Sequence, residues 1–430
     1  MVNPAGRNQY GPKDYPSDEV LKEVFREYAK EKGGSGLTAK EQLGRLKKEL
    51  NLLISERQLY KLRKRLEVPS IRKSSSKPQE LAQAVIDIKD SDLTGRWGVA
   101  QVRQRLANNG ILIRRDECRS VLHDHFDDEF DQRFVGCKGK IIRTPLNCLG
   151  PWHQVHCDGH EKLNSQALQM GTVTLPIYGF KDQFSAFVPL LQVLPSVRNV
   201  ETIGHLYLDL VESYGRAPLQ LVMDKGTEVG DMIRAQQFLR VNVAPEYSED
   251  NWPSTVQVQS KKNTPIEGFW RWKRNGEGHN IRSAIITGRE NGLFNSNNPL
   301  HVNVFNWLWP PLVQSRLHEF REYWNNHLLS KQKKKVLPSG TSPRQMWLDP
   351  QSVRADARDC SIVANMNIVR QLREGLGGTE GRAQAYAFVD PEFGALADSA
   401  LGELNFPAIT LMNAWDIFIA VVEILSSESV

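Results

Sequence analysis

The sequence predicts a mixed α/β protein: a sheet flanked by helices, preceded by an all-α basic region. Three observations carry that prediction. Residues 1–73 hold 17 Lys/Arg against 10 Asp/Glu, a surplus of seven that exceeds the +5 of the whole 430-residue chain. Up to about residue 123 the apolar residues recur at helical spacing, whereas from Trp152 they gather into short β-rich runs. Between Val200 and Arg240 a helix, a continuously apolar strand and a second helix alternate, as in a mixed α/β sheet.

Bulk composition narrows the class. A chain of this length predicts two to four domains. With 40% hydrophobic residues, no apolar run approaches the ~20 residues of a membrane helix, and the start Met-Val-Asn-Pro-Ala-Gly lacks an apolar signal core. A soluble intracellular protein with no membrane partner is expected. Five cysteines without a Cys-x-x-Cys pair fit a reducing compartment, with neither a disulfide framework nor a zinc ribbon.

Residues 1–17 read as a polar, disordered tail. In a first module, residues 18–73, Val20, Leu21, Val24, Phe25 and Tyr28 mark a helix over 18–30, and Gly33-Gly-Ser-Gly36 breaks the chain. Thr38 and Glu41 form a capping box for a helix carrying Leu43, Leu46 and Leu50. Ser55 caps a further helix with Leu59, Leu62 and Leu66 on one side and Arg57, Lys61 and Lys64 on the other. A short helix pair with a basic second member reads as a helix-turn-helix, the basic helix lying along the DNA major groove. The plain alternative is a solvated face in a helical bundle. Arg72-Lys-Ser-Ser-Ser-Lys-Pro78 reads as a linker. A second helix-turn-helix-like module, residues 79–130, turns at Asn108-Asn-Gly110, and its second helix opens with Arg114 and Arg115.

Further on, Val173–Gly179 and Ala186–Val193 suggest a hairpin, with Pro176 and Pro189 favouring edge positions or bulges. Val200–Tyr214 reads as a helix, Pro218–Asp224 as a buried strand and Val229–Arg240 as a helix, while Asn263 caps and Pro265 opens another. Trp152-His-Gln-Val-His-Cys-Asp-Gly-His160 resembles a zinc site at first sight. In an extended strand, however, Trp152, Gln154, His156 and Asp158 share one face and His153, Val155 and Cys157 the other, which separates the ligands.

Asp158 and Asp224 each close a predicted strand, and Glu267 lies on a predicted helix. Three such carboxylates can hold two Mg²⁺ ions ~4 Å apart, which activate an attacking oxygen and stabilise the leaving oxygen of a phosphodiester. The plain alternative is three unrelated surface acids. Trp152–Leu163, Asp224-Lys-Gly-Thr-Glu228 and Asn263-Thr-Pro-Ile-Glu-Gly-Phe-Trp270 together resemble the motif blocks of integrase core domains, in the form found in eukaryotic integrase-like proteins. The resemblance spans about residues 95–347. It implies an RNase H-like catalytic core (148–347), a D-D-E triad of Asp158, Asp224 and Glu267 binding Mg²⁺ or Mn²⁺, and cutting and joining of DNA strands. Departures accompany it: Asp224 and Glu267 lie 43 residues apart, Glu246–Gln259 reads as a mobile insertion, and Asp182-Gln-Phe-Ser-Ala186 stands where the family often has Asp-Gly-Phe-Ser-Arg. The His-His-Cys-Cys zinc module of retroviral integrases is replaced by the helix pairs.

On the Glu267 helix, Arg271 and Arg274 fall on the same face and are candidates to meet DNA phosphates, while Phe269, Trp270 and Trp272 pack. Lys331 and Lys333–Lys335 read as a backbone-binding or nuclear import run, so the protein is expected in the nucleus. Residues 351–430 form a C-terminal helical segment, and Ile409–Leu425 is a candidate for self-association into a homo-oligomer that holds two DNA ends. Two rivals stay open: an inactive DNA-binding protein descended from a transposable element, and an RNase H-like nuclease that cleaves without joining.

Overall fold

The computed structural model describes residues 15–71, 78–92, 97–126, 148–161, 163–258, 263–332, 336–405 and 408–427, apart from the side chains of Thr264, Trp272, Arg274 and Asn275. The polar tail up to residue 14, most of the 72–78 linker and the Lys333–Lys335 run therefore lie outside the described residues.

Among the described residues, two three-helix units precede the sheet. Helices α1 (Asp18–Lys30), α2 (Ala39–Leu50) and α3 (Glu56–Arg65) close over Leu21, Phe25, Tyr28, Leu46 and Leu59. Capping boxes start α2 at Thr38 and α3 at Ser55, each satisfying N–H groups that a helix leaves unpaired. Helices α4 (Pro78–Asp90), α5 (Val99–Asn108) and α6 (Arg115–His125) enclose Leu81, Val85, Trp97, Val102 and Leu122. Both units dock against later parts of the chain. In the first, the Lys32 amide donates to the Asn326 carbonyl (2.7 Å), Lys48 pairs with Asp349 (2.8 Å), and buried Glu31 binds Arg45 and Ser342. In the second, Arg105 of α5 pairs with Glu277 (3.0 Å).

The five-stranded sheet runs β3-β2-β1-β5-β6. Strands β1 (Gln154–His160), β2 (Ile177–Asp182) and β3 (Leu190–Val193) are antiparallel, and a turn of helix α7 (Ser165–Leu168) precedes β2. After helix α8 (Val200–Tyr214) and the two-residue β4 (Arg216–Ala217), strand β5 (Gln220–Asp224) pairs parallel with β1, and β6 (Thr255–Val258) pairs parallel with β5 beyond helix α9 (Gly230–Val243). This is the expected RNase H-like mixed sheet. One face presents Val155, Cys157, Phe180, Leu221 and Met223 to α8 and α9. The other lies under α10 (Thr264–Lys273) and α12 (Pro299–Asn326), with Ile177, Leu191 and Val193 against Ile266, Phe269 and Trp309. A π-helical segment, Arg274–Gly278, joins α10 to α11 (His279–Glu290). Helices α13 (Pro343–Leu348), α14 (Met366–Gly375), α15 (Gly378–Tyr386), α16 (Pro391–Leu404) and α17 (Ala414–Ser427) complete the chain, with β7 (Ile362–Val363) pairing with β4.

Four expectations need correction. Trp152 has φ +66°, which breaks the alternation before β1 begins, so its side chain packs with Val155 and Cys157 rather than on the Asp158 side. Residues 246–258, read as part of a mobile insertion, are tied to the sheet: they end in β6, and buried Arg240 donates to the carbonyls of Tyr247 (2.9 Å) and Trp252 (2.8 Å). Pro176 stands just ahead of β2, an interior, fully buried strand, where a missing N–H costs no ladder bond, whereas Pro189 precedes β3, which is an edge strand as expected. Finally, the apolar face of α17 is covered within its own chain: Trp415, Ile417, Phe418 and Val421 join the core of α12 and α16, and the Trp415 indole donates to the Ala284 carbonyl (2.8 Å).

The turn after β2 hangs on Asp182. Its buried carboxylate accepts from the Trp152 amide (2.8 Å), the Ser185 amide (2.7 Å) and the Ser185 hydroxyl (2.6 Å), holding the reversed Trp152 backbone in place. Asp182→Ala leaves those donors without their acceptor and is expected to lower unfolding stability by about 2–4 kcal/mol, read from a urea titration.

Candidate active site

Strand pairing puts the first two acids side by side. The β1–β5 ladder matches Gln154 with Gln220, Val155 with Leu221 and His156 with Val222, and continuing that offset aligns Asp158 with Asp224. Matched residues of neighbouring parallel strands project to the same face, with the strands ~4.8 Å apart. Since Val155, Cys157, Leu221 and Met223 pack toward α8 and α9, Asp158 and Asp224 both point to the α10 side.

The third acid arrives on α10, and the start of that helix is tied to both strands by one residue. The Asn263 side-chain amide donates to Asp224 Oδ1 (3.1 Å) and to the Cys157 carbonyl (3.2 Å). Its Oδ1 therefore accepts from His156 Nδ1 (2.6 Å), while His156 Nε2 lies 2.6 Å from Gln183 Oε1. Burial lowers the His156 imidazole to about 4, against the two hydrogen bonds, which favour its charged form. The Lys181 ammonium donates to the Pro265 carbonyl (2.8 Å), a second tie from β2 to the first turn of α10. Glu267 follows one turn on, and a turn later Trp270 donates its indole N–H to Asp158 Oδ2 (2.9 Å) and stacks on His160 with the ring centroids 4.8 Å apart. Gly179, opposite Asp158 in the β1–β2 ladder, makes that possible: a Cβ there would come within 2.9 Å of the Trp270 ring.

Asp158, Asp224 and Glu267 line one open cavity of about 730 Å³, with Arg271 and Lys225 at its wall. Glu228, which the sequence presents only as part of a motif, and Glu161, paired with Arg198 (2.9 Å), are further carboxylates on the same wall. Burial, and next the negative charge of Asp224, push the Asp158 carboxyl up to about 7; the Trp270 hydrogen bond opposes the shift and the charge of Glu267 adds to it. The carboxylates thus form a hard-oxygen donor set with more negative charge than its surroundings neutralise, which fits a divalent cation. As the side chains stand, no group of three His, Cys, Asp or Glu among the described residues is spaced to hold an ion, and Glu267 is exposed on α10.

The remaining candidates scatter. Arg57, Lys61 and Lys64 are exposed along α3; Arg114 and Arg115 are exposed at the start of α6, Arg114 lying 3.7 Å from Glu117; Arg271 faces the cavity; and the Arg274 side chain lies outside the described residues. The histidines and cysteine of the opening motif have separate partners. His153 Nδ1 accepts from the Leu149 amide (3.1 Å), and Cys157 is buried toward Met232 with its thiol pushed well up by burial. Neither the Asn263 bridge nor the Trp270 indole bond is visible in the sequence; Asn263 reads as a cap and Trp270 as packing, and no spacing rule separates those roles from binding an acid.

A scan against protein families matches residues 147–359 to the integrase core domain. The chain carries an integrase core domain. The match covers β1 to β6 and all three acids, and it places the core in the polynucleotidyl-transferase superfamily, whose integrase-type members use divalent metals. No curated protein matches the chain.

The raised Asp158 carboxyl couples stability to pH. Above its ordinary range and below about 7 the folded protein holds a proton that the unfolded chain has lost, so metal-free stability falls as pH rises from about 4 to 7. Asp158→Asn, which can still accept from Trp270, removes that loss. Its stability relative to the parent, read by calorimetry, is expected to be level near pH 4 and higher at pH 8 by an amount on the order of 1–3 kcal/mol.

Proposed function

We propose that this integrase core protein cuts and joins DNA strands in a reaction that depends on Mg²⁺ or Mn²⁺, with Asp158, Asp224 and Glu267 holding the metal. The observation that carries the reading is the in-register placement of Asp158 beside Asp224 on the face covered by the Glu267 helix. Bound there, divalent ions supply electrophilic activation of both the attacking and the leaving oxygen of a phosphodiester. The chain's own residues do the positioning. Trp270 holds one oxygen of Asp158 and Asn263 one oxygen of Asp224, which orients the other oxygen of each carboxylate. Arg271 and Lys225 are positioned to take the flanking phosphates of a strand lying in the cavity. Water or a DNA 3′-hydroxyl is the nucleophile, and no covalent protein intermediate is needed.

DNA is the partner, gripped by helix-turn-helix modules through Arg57, Lys61 and Lys64 of α3 and Arg114 and Arg115 of α6, all exposed. Holding two DNA ends calls for a homo-oligomer, and a chromosomal target places the protein in the nucleus. A second reading, a DNA-binding scaffold that has lost its chemistry, draws on the absence of a ready three-ligand cluster among the described residues.

Titration of Mg²⁺ and Mn²⁺ into the full chain and its Asp224→Asn variant, with a labelled duplex, separates these readings. The parent is expected to nick and to transfer a free 3′-hydroxyl end, and the variant to lose at least about 100-fold of both rates together with the metal-dependent rise in melting temperature, while its DNA affinity stays within about threefold. DNA binding with no metal-dependent chemistry in the parent would establish the scaffold; nicking without end transfer, a nuclease. In a separate measurement, combined replacement of Arg57, Lys61 and Lys64 by Ala is expected to weaken DNA binding across sequences and to flatten the slope of log affinity against log salt by about 2–3.

A further inference from the structure

The π-helical segment Arg274–Gly278 begins where the Glu267 helix ends. Such segments insert an extra residue into a helical turn and are rare. Glu277 within it is 1% exposed and bonds two arginines from different parts of the fold: Arg105 of α5, in the second N-terminal unit (3.0 Å), and Arg316 of α12 (2.7 Å). Lys273, the last residue of α10, is buried beside the same carboxylate. Arg105 is itself buried. Its guanidinium lies 3.6 Å from the ring centre of Trp97 and 4.9 Å from that of Tyr323, and two of its nitrogens find no acceptor among the described residues. Gly276 lies close against Gln101 of α5, where a Cβ would come within 3.2 Å of its amide nitrogen.

A desolvated acid shared by buried Arg105 and by partly buried Arg316, which also pairs with Glu319 (2.7 Å), is a poor source of net stability but a strong fixer of geometry, because breaking the Arg105 pair leaves an unpaired charge in the interior. From these contacts we propose that Glu277, bridging Arg105 and Arg316, is a positioning residue: it anchors the end of the Glu267 helix to the N-terminal helical unit, and so sets where Glu267 and Trp270 meet Asp158. The inference deepens the strand-transfer reading and rests on it for its catalytic consequence, but the positional claim has its own readout. The segment between Glu267 and Glu277 is one continuous helical run, so a shift at the anchor is passed along the rod to the Trp270 indole bond.

The test uses the full chain and amide-hydrogen exchange of the Trp270 indole N–H, assigned by comparison with Trp270→Phe. Glu277→Gln strands buried Arg105 and can unfold the protein, so the decisive variant is Arg105→Met, which leaves the Glu277–Arg316 pair intact and keeps an unbranched chain against Trp97. In Arg105→Met the indole is expected to exchange about tenfold faster, and the strand-transfer kcat to fall about tenfold at unchanged KM for DNA, with a cooperative melt retained. Unchanged indole exchange in a folded Arg105→Met protein would overturn the proposal. Faster exchange in a protein whose parent shows no strand chemistry would uphold the positional role and remove the enzymatic reading.

Discussion

The ladder between β1 and β5 forces two like charges together, and the rest of the site answers that constraint. Neither aspartate chooses its neighbour; the hydrogen-bond register does, and the register is in turn held by the alternating apolar residues that pack on α8 and α9. A slip of one residue would turn Val155 and Cys157 outward and bury the acids in the α8–α9 core. The fold therefore sustains an electrostatic tension at Asp158 and Asp224 because relieving it would cost an entire hydrophobic face. A proton or a cation is what that tension favours.

Helix α10 is the second half of the arrangement. Within nine residues it begins at the Asn263 bridge and carries Glu267, Trp270 and Arg271, so the third acid, a clamp on the first acid and a cavity-facing cation move as one rod. The rod is seated by Ile266 and Phe269 against α12, whose long buried stripe is in turn covered by α16 and α17. The C-terminal region thus supports the site from behind, and the Glu277 ion pairs tie the far end of the same rod to the N-terminal helices.

How much of this was legible varied with the kind of signal. Local chemistry read well: α1 spans 18–30 as its periodicity predicts, the Thr38 capping box is present, and the apolar run ending at Asp224 is a buried strand. Elements whose residues give mixed signals read poorly. Helix α12 carries Pro310 and Pro311 in its interior, against every local preference, yet Phe305, Trp309, Val313, Phe320 and Trp324 form one buried stripe that outweighs the missing bonds. Strand β6 has the short, half-exposed pattern of an edge, which is hard to tell from a loop by composition. Trp152 shows the limit of alternation as a guide, since a single positive φ moved its side chain to the other face.

By itself the sequence determined the class of the elements with clear caps and periodicity, the position of three acids at strand ends and a helix start, and the concentration of basic residues in the first helices, because capping, periodicity and charge are local properties. Only the tertiary structure decided that the aspartates stand in register, that Asn263 binds Asp224 instead of merely opening a helix, that Trp270 holds Asp158, and that a buried acid joins the Glu267 helix to the N-terminal unit. Those contacts join residues from tens to more than a hundred positions apart. What brings them together is the burial of two sheet faces, a property of the whole chain that no short window of it contains.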